Sequence, residues 1–154
     1  RTTNWLTAMK ANDPKEYPKN TPIVAATGSG EIDVGLVNHY YLYRFIQEQG
    51  DDFAAGNYHP TSLGPDSLVM VAGAGILKTS KNPTAAEKFI DFMLSPEAQQ
   101  YFADETFEYP VVEGVATHSL LKPMDEIKKP TIDMADLDDL QGTQALLRDL
   151  GILN

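Results

Sequence analysis

Residues 30–44 read GEIDVGLVNHYYLYR, from Gly30 to Arg44. Ile32, Val34 and Leu36 alternate with Asp33, Gly35 and Val37, the two-residue period of a strand. After Asn38-His39-Tyr40-Tyr41 the period changes. Leu42, Phe45, Ile46 and Gln49 fall at helical spacing, and Gly50 closes that helix. A strand that feeds a helix predicts an α/β fold, in which ligands bind beyond the carboxyl ends of strands. Asn38 to Tyr41 stand at such an end. Adjacent residues within a strand point to opposite faces, but a strand-to-helix turn breaks the alternation, so both phenols can converge on one point. The same pair could equally be core packing, the commoner use of neighbouring aromatics.

Upstream, Trp5, Leu6 and Met9 give helical spacing between Asn4 and Asn12, which places Arg1 in what reads as a helix. Pro14 and Pro18 mark a loop. Thr21-Pro22 predicts a helix start, a hydroxyl cap followed by proline, and Gly28-Ser29-Gly30 predicts its end. Downstream, residues 51–65 are polar and turn-rich. Leu68 to Leu77 is a mostly apolar run of small residues, read as a buried strand with close backbone approach at Gly73 and Gly75. Asn82-Pro83 and Ser95-Pro96 start two helices. Their inward faces are Ala86, Phe89, Ile90 and Met93 in one, and Ala98, Tyr101 and Phe102 in the other. Glu108 to Val112 reads as extended and Thr117 to Pro130 as loop. An acidic turn at Asp136 to Asp139 precedes a last helix around Gln144 to Leu150, stopped by Gly151.

Composition narrows the function. The 154 residues are 42% hydrophobic and 22% charged, which is globular rather than disordered. A chain of this length can bury about 70% of its unfolded surface. Twelve Lys and Arg against 22 Asp and Glu leave a net charge of −10. That field repels phosphate backbones, so no nucleic-acid partner is expected. The chain has no cysteine, which excludes a disulfide scaffold, a thiolate metal site and a thiol nucleophile. Its apolar runs are too short to span a membrane, and it carries no signal peptide.

Other motifs fail on chemistry. Gly28-Ser29-Gly30 is not a nucleophile elbow, and no histidine is placed to serve Ser29. Gly73-Ala74-Gly75 lacks the third glycine of a dinucleotide fingerprint. Asp133 to Asp139 lacks the glycine and glutamate of a calcium loop and reads as a solvated turn. His39, His59 and His118 are too scattered for a zinc set. Tyr109 reads as a packing residue with a satisfied hydroxyl, and Tyr43 as pointing away from the tyrosine pair. No enzymatic activity is expected.

Three stretches together carry a resemblance: Thr21 to Gly50, Asp66 to Leu94, and Glu108-Tyr109-Pro110. The matching text includes GEIDVGLVNHYYLYR and, over Ser67 to Gln99, SLVMVAGAGILKTSKNPTAAEKFIDFMLSPEAQ. The chain resembles the ferric-iron-binding proteins of bacterial ABC importers, over nearly its whole length. NHYY is the most specific motif. The text after Ser67 is shared more widely among binding proteins of the same fold.

The resemblance implies a type II periplasmic binding protein-like fold of two α/β lobes around a ligand cleft. Residues 1–69 and 121–154 would belong to the C-terminal lobe and 70–120 to the N-terminal one, the N-terminal part of the protein being absent from this chain. It implies that Tyr40 and Tyr41 are ligands of Fe(3+). In members that hold a synergistic anion, such as phosphate or carbonate, its partners would correspond to Asn20 and Asn38. Members often have Asn where this chain has His39, which leaves the ligands intact. The implied partners are a membrane ABC permease and the missing N-terminal lobe. The implied location is a periplasm, or a lipid anchor on the outer face of the cytoplasmic membrane. The alternative is the same fold holding a polyamine, an anion or a small organic molecule. Isolated, the apolar faces of 70–120 would lack cover, so self-association is expected.

Overall fold

Helices form in this chain wherever start signals and apolar spacing agree. The computed structural model describes residues 2–61 and 67–153. Arg1, Asn154 and the last part of the turn-rich stretch, residues 62–66, lie outside the described residues. Among the described residues there are six α-helices: α1 (Thr2–Ala11), α2 (Asn20–Gly28), α3 (Tyr40–Gln49), α4 (Pro83–Met93), α5 (Pro96–Thr106) and α6 (Leu140–Asp149). Two 3-10 turns, Met124–Glu126 and Met134–Leu137, lie between α5 and α6. None of the helices is long and apolar enough to cross a membrane.

Caps explain some of the boundaries. Ser95 Oγ accepts a hydrogen bond from the Ala98 amide at 3.3 Å, with Pro96 at the first helical position. Asp139 Oδ1 accepts from the Gly142 amide at 2.8 Å, so the acidic turn caps α6. Gly50 and Gly151 end α3 and α6 with φ of 89° and 62°, a conformation that favours glycine. Thr21 is not the cap of α2. That helix begins one residue earlier, after Lys19, which makes no side-chain cap bond.

The expected α/β fold is corrected by the structure: among the described residues there is no β-strand. Residues 32–37 and 68–77 carry no regular secondary structure beyond a bend at Asp33. Alternation specifies an extended backbone, but a strand exists only when a second extended segment lies alongside to exchange N–H and C=O bonds. No such segment is placed here. Residues 32–37 instead run against α2, where a side chain at Gly35 would collide with Ile23. Val34 and Leu36 on the other side are 78% and 68% exposed. A Cβ added at Gly73 or Gly75 would meet nothing within 4 Å, so close backbone approach does not explain these glycines.

The core is correspondingly small. Val24, Ala26, Leu42, Tyr43, Ala98, Ala103, Phe107 and Leu121 are its buried apolar residues. α2 packs on α3 and α4 on α5. Tyr43, Phe107 and Leu121 form one cluster, with Tyr40, Ile46 and Tyr109 packed against it. Phe107 is fully buried and ends α5 in the left-handed region, φ 57°. Lys10 Nζ donates to the Leu150 carbonyl at 2.7 Å, which ties α1 to the negative end of α6.

The expected inward faces of α4 and α5 are only partly inward. α4 has no buried residue, and Phe89 and Tyr101 are exposed. Ala98, Gln99 and Ala103 are what α5 buries. The accessible surface is 11,790 Å², where a monomer of this size exposes about 7,700 Å². The chain therefore buries about half of its unfolded surface rather than the expected 70%.

Phe107→Ala should cost about 3–5 kcal/mol, because it empties the centre of the cluster. Denaturant unfolding of the purified chain checks this, and a loss below about 1 kcal/mol would mean that the cluster does not hold the fold.

Candidate functional site

Asn38 to Tyr41 form the turn into α3, so Tyr40 and Tyr41 occupy its first turn. His39 precedes them in helical conformation, φ −54° and ψ −37°. Both phenols therefore leave the positive end of the helix, which favours negative charge. The rings lie 4.7 Å apart, tilted by 35°. The rings meet within the first turn of α3 and not at the expected strand-to-helix turn, because among the described residues no strand precedes that helix.

The two asparagines join them. Asn38 Nδ2 donates to the Tyr40 hydroxyl at 3.1 Å, and the Asn38 amide donates to Asn20 Oδ1 at 3.3 Å. Asn20 is the first residue of α2. The starts of two helices, two asparagines and two phenols thus share one place.

Burial raises the pKa of the Tyr40 phenol above the usual tyrosine value. The Asn38 hydrogen bond lowers it, while Tyr41 and the Glu108 carboxylate raise it further. At neutral pH the Tyr40 phenol is therefore protonated.

His39 is a support. Its Nε2 lies 2.8 Å from the Phe107 carbonyl, and its own carbonyl accepts from Asn57 Nδ2 at 2.9 Å. Its ring packs edge-on to Tyr40 at 5.4 Å and against Tyr109 at 5.2 Å. Tyr109 is a packing residue as expected: its hydroxyl donates to the Lys122 carbonyl at 2.6 Å, and burial raises its pKa. Tyr43 is buried and stacked on Phe107, away from the pair. His59 has its pKa lowered by burial, with Lys122 and His39 acting in the same direction. His118 packs edge-on to Phe107 and accepts from the Leu120 amide. Among the described residues no three of His, Cys, Asp and Glu gather as a metal set. Ser29 Oγ donates to the Ala26 carbonyl at 3.0 Å, an ordinary helix-end contact.

The roles of Glu108 and Asn57 were missed in the sequence. Glu108 was quoted only as part of the Glu108-Tyr109-Pro110 stretch and Asn57 lies in no motif, yet Asn57 bonds the His39 carbonyl and the Glu108 charge acts on Tyr40.

This arrangement can present two oxygen donors to a cation beside amide groups suited to an anion. The model of the bacterial extracellular solute-binding proteins matches residues 1–141, and the chain belongs to that family. It is similar to the major ferric iron-binding protein of Neisseria meningitidis serogroup B, 32% identical over 154 residues that cover 96% of this chain and 45% of that one. It is also similar to the crystal structure of iron-bound HitA from Pseudomonas aeruginosa, with a TM-score of 0.86 and 36% identity over 97% of this chain and 48% of that one. A shorter match, 37% identical over 84 residues, covers 53% of this chain and 24% of the thiamine-binding periplasmic protein of Salmonella typhimurium. The chain spans about half the length of the ferric-binding relatives it matches.

In Asn38→Ala, Tyr40 loses the bond that favours its ionised form, so its ionisation should move to higher pH. An NMR titration of labelled tyrosine rings reads this; an unchanged or lower value would contradict the contact.

Proposed function

We propose that this chain is part of the solute-binding component of an ABC importer, and that the solute is ferric iron held by Tyr40 and Tyr41. The observation that carries the reading is the convergence of two adjacent phenols at the start of α3. Fe(3+) is a hard cation and prefers anionic oxygen. A phenol is neutral at pH 7, but a bound cation displaces its proton. Two phenolates neutralise two of the three charges. Asn20 and Asn38 then hold a synergistic anion, phosphate or carbonate, at the paired helix starts. The ferric-binding names among the relatives support the same solute.

The remaining iron ligands we assign to the rest of the whole protein. In that protein residues 1–69 and 121–154 form part of one lobe and 70–120 part of the other. The small core lies where these segments meet, since Tyr43, Phe107 and Leu121 come one from each. The exposed faces at Met70, Val71, Leu77, Phe89, Phe92 and Tyr101 fit burial against the missing part, or against a second copy when the stretch is isolated. The protein works outside the cytoplasmic membrane, in a periplasm or on a lipid anchor. It delivers iron to a membrane permease and does no covalent chemistry.

The thiamine-binding relative favours a second reading, an organic solute stacked on the aromatic pair. A visible phenolate-to-iron charge-transfer band separates the two, since an organic solute gives none.

In the whole protein, Tyr40→Phe and Tyr41→Phe should each weaken ferric binding by more than tenfold and bleach that band, while Tyr43→Phe changes little. Iron titration with a competing chelator measures it, and undiminished affinity in both ligand variants would refute the assignment. Loading should also release protons, because phenols neutral in the free protein are ionised in the complex. Affinity should therefore fall as pH drops, and calorimetry in buffers of different ionisation enthalpy counts the protons.

A further inference from the structure

Arg44 lies four residues after Tyr40 and three after Tyr41, so all three share one face of α3. Its guanidinium carbon stands 5.3 Å from the centre of the Tyr41 ring and 6.0 Å from that of Tyr40. Both lie within the range of a cation–ring contact. In a chain with 22 carboxylates, a cation would be expected to find one of them. Among the described residues the one ion pair is Lys15 with Glu31, at 3.1 Å. The Arg44 cation is committed to the two rings instead.

We infer that Arg44 is a positioning residue for the tyrosine pair, holding both rings in the arrangement that receives ferric iron. The assignment rests on the reading of Tyr40 and Tyr41 as iron ligands. A planar guanidinium can lie along two ring faces at once, which the point charge of lysine cannot. A guanidinium that holds both rings in one arrangement leaves less ordering to be done when iron arrives, and that saving favours binding. The guanidinium charge, lying over the ring faces, lowers the energy of the donor orbitals on the rings. The phenolate-to-iron transition consequently lies at higher energy with Arg44 present than without it.

The test uses the whole protein, with Arg44→Met, which keeps the length of the side chain and removes its charge, and Arg44→Lys, which keeps the charge and loses the plane. Arg44→Met should weaken ferric binding about two- to five-fold, the size of one exposed cation–ring contact. It should also shift the charge-transfer band to longer wavelength. Arg44→Lys should hold the band near its original position while recovering only part of the affinity. In the iron-free protein, the ring signals of Tyr40 and Tyr41 should move in the NMR spectrum of Arg44→Met, and those of Tyr109 should not. If band, affinity and ring signals are all unchanged in Arg44→Met while Tyr40→Phe and Tyr41→Phe still lose iron, the role of Arg44 is overturned and the iron site stands. If the two phenylalanine variants keep full affinity, the iron reading fails and the inference falls with it.

Discussion

Tyr43 and Phe107 stack with ring centres 5.0 Å apart and planes 23° from parallel, and the arrangement around the tyrosine pair follows from that contact. Tyr43 comes from the middle of α3 and Phe107 from the residue that ends α5. Phe107 adopts a left-handed backbone, unusual for a bulky residue, and its full burial offsets that cost. The same conformation turns its carbonyl toward His39, one residue ahead of the pair. One buried ring thus closes a helix, fills the core and sets the orientation of the turn that carries the phenols.

The site itself balances opposing influences. Burial, Tyr41 and Glu108 favour the neutral form of Tyr40, whereas Asn38 and the positive end of α3 favour the ionised one. A phenol held protonated when free, yet beside groups that favour its ionised form, can lose its proton when a cation arrives. A cation supplies the missing free energy only while it is bound.

The large exposed surface bears on the same point. Binding sites between two bodies need faces that are not already buried within either. Phe89, Phe92, Met70 and Val71 are apolar yet open, while the residues around Tyr43 are closed. The chain is well packed behind the tyrosine pair and loosely packed elsewhere, so the order of the pair does not depend on those open faces.

Much of the local structure was legible in the residues. Ser95 caps α5, Pro83 and Pro96 open their helices, and Gly50 and Gly151 end theirs through backbone freedom, effects that act within a few residues and need no distant partner. Tyr40 and Tyr41 were legible as neighbours before a helix, but the strand-to-helix turn expected to bring them together is absent, and their rings meet instead within the first turn of α3. The alternation at 32–37 and the apolar run at 68–77 promised strands that the structure does not form, because a ladder needs a second segment and no local pattern supplies one. The support of His39 by Phe107, the approach of Glu108 to Tyr40, and the outward turn of Phe89 and Tyr101 were likewise decided by tertiary structure. Each depends on which distant surface arrives to cover a side chain, and that is a property of packing rather than of neighbouring residues.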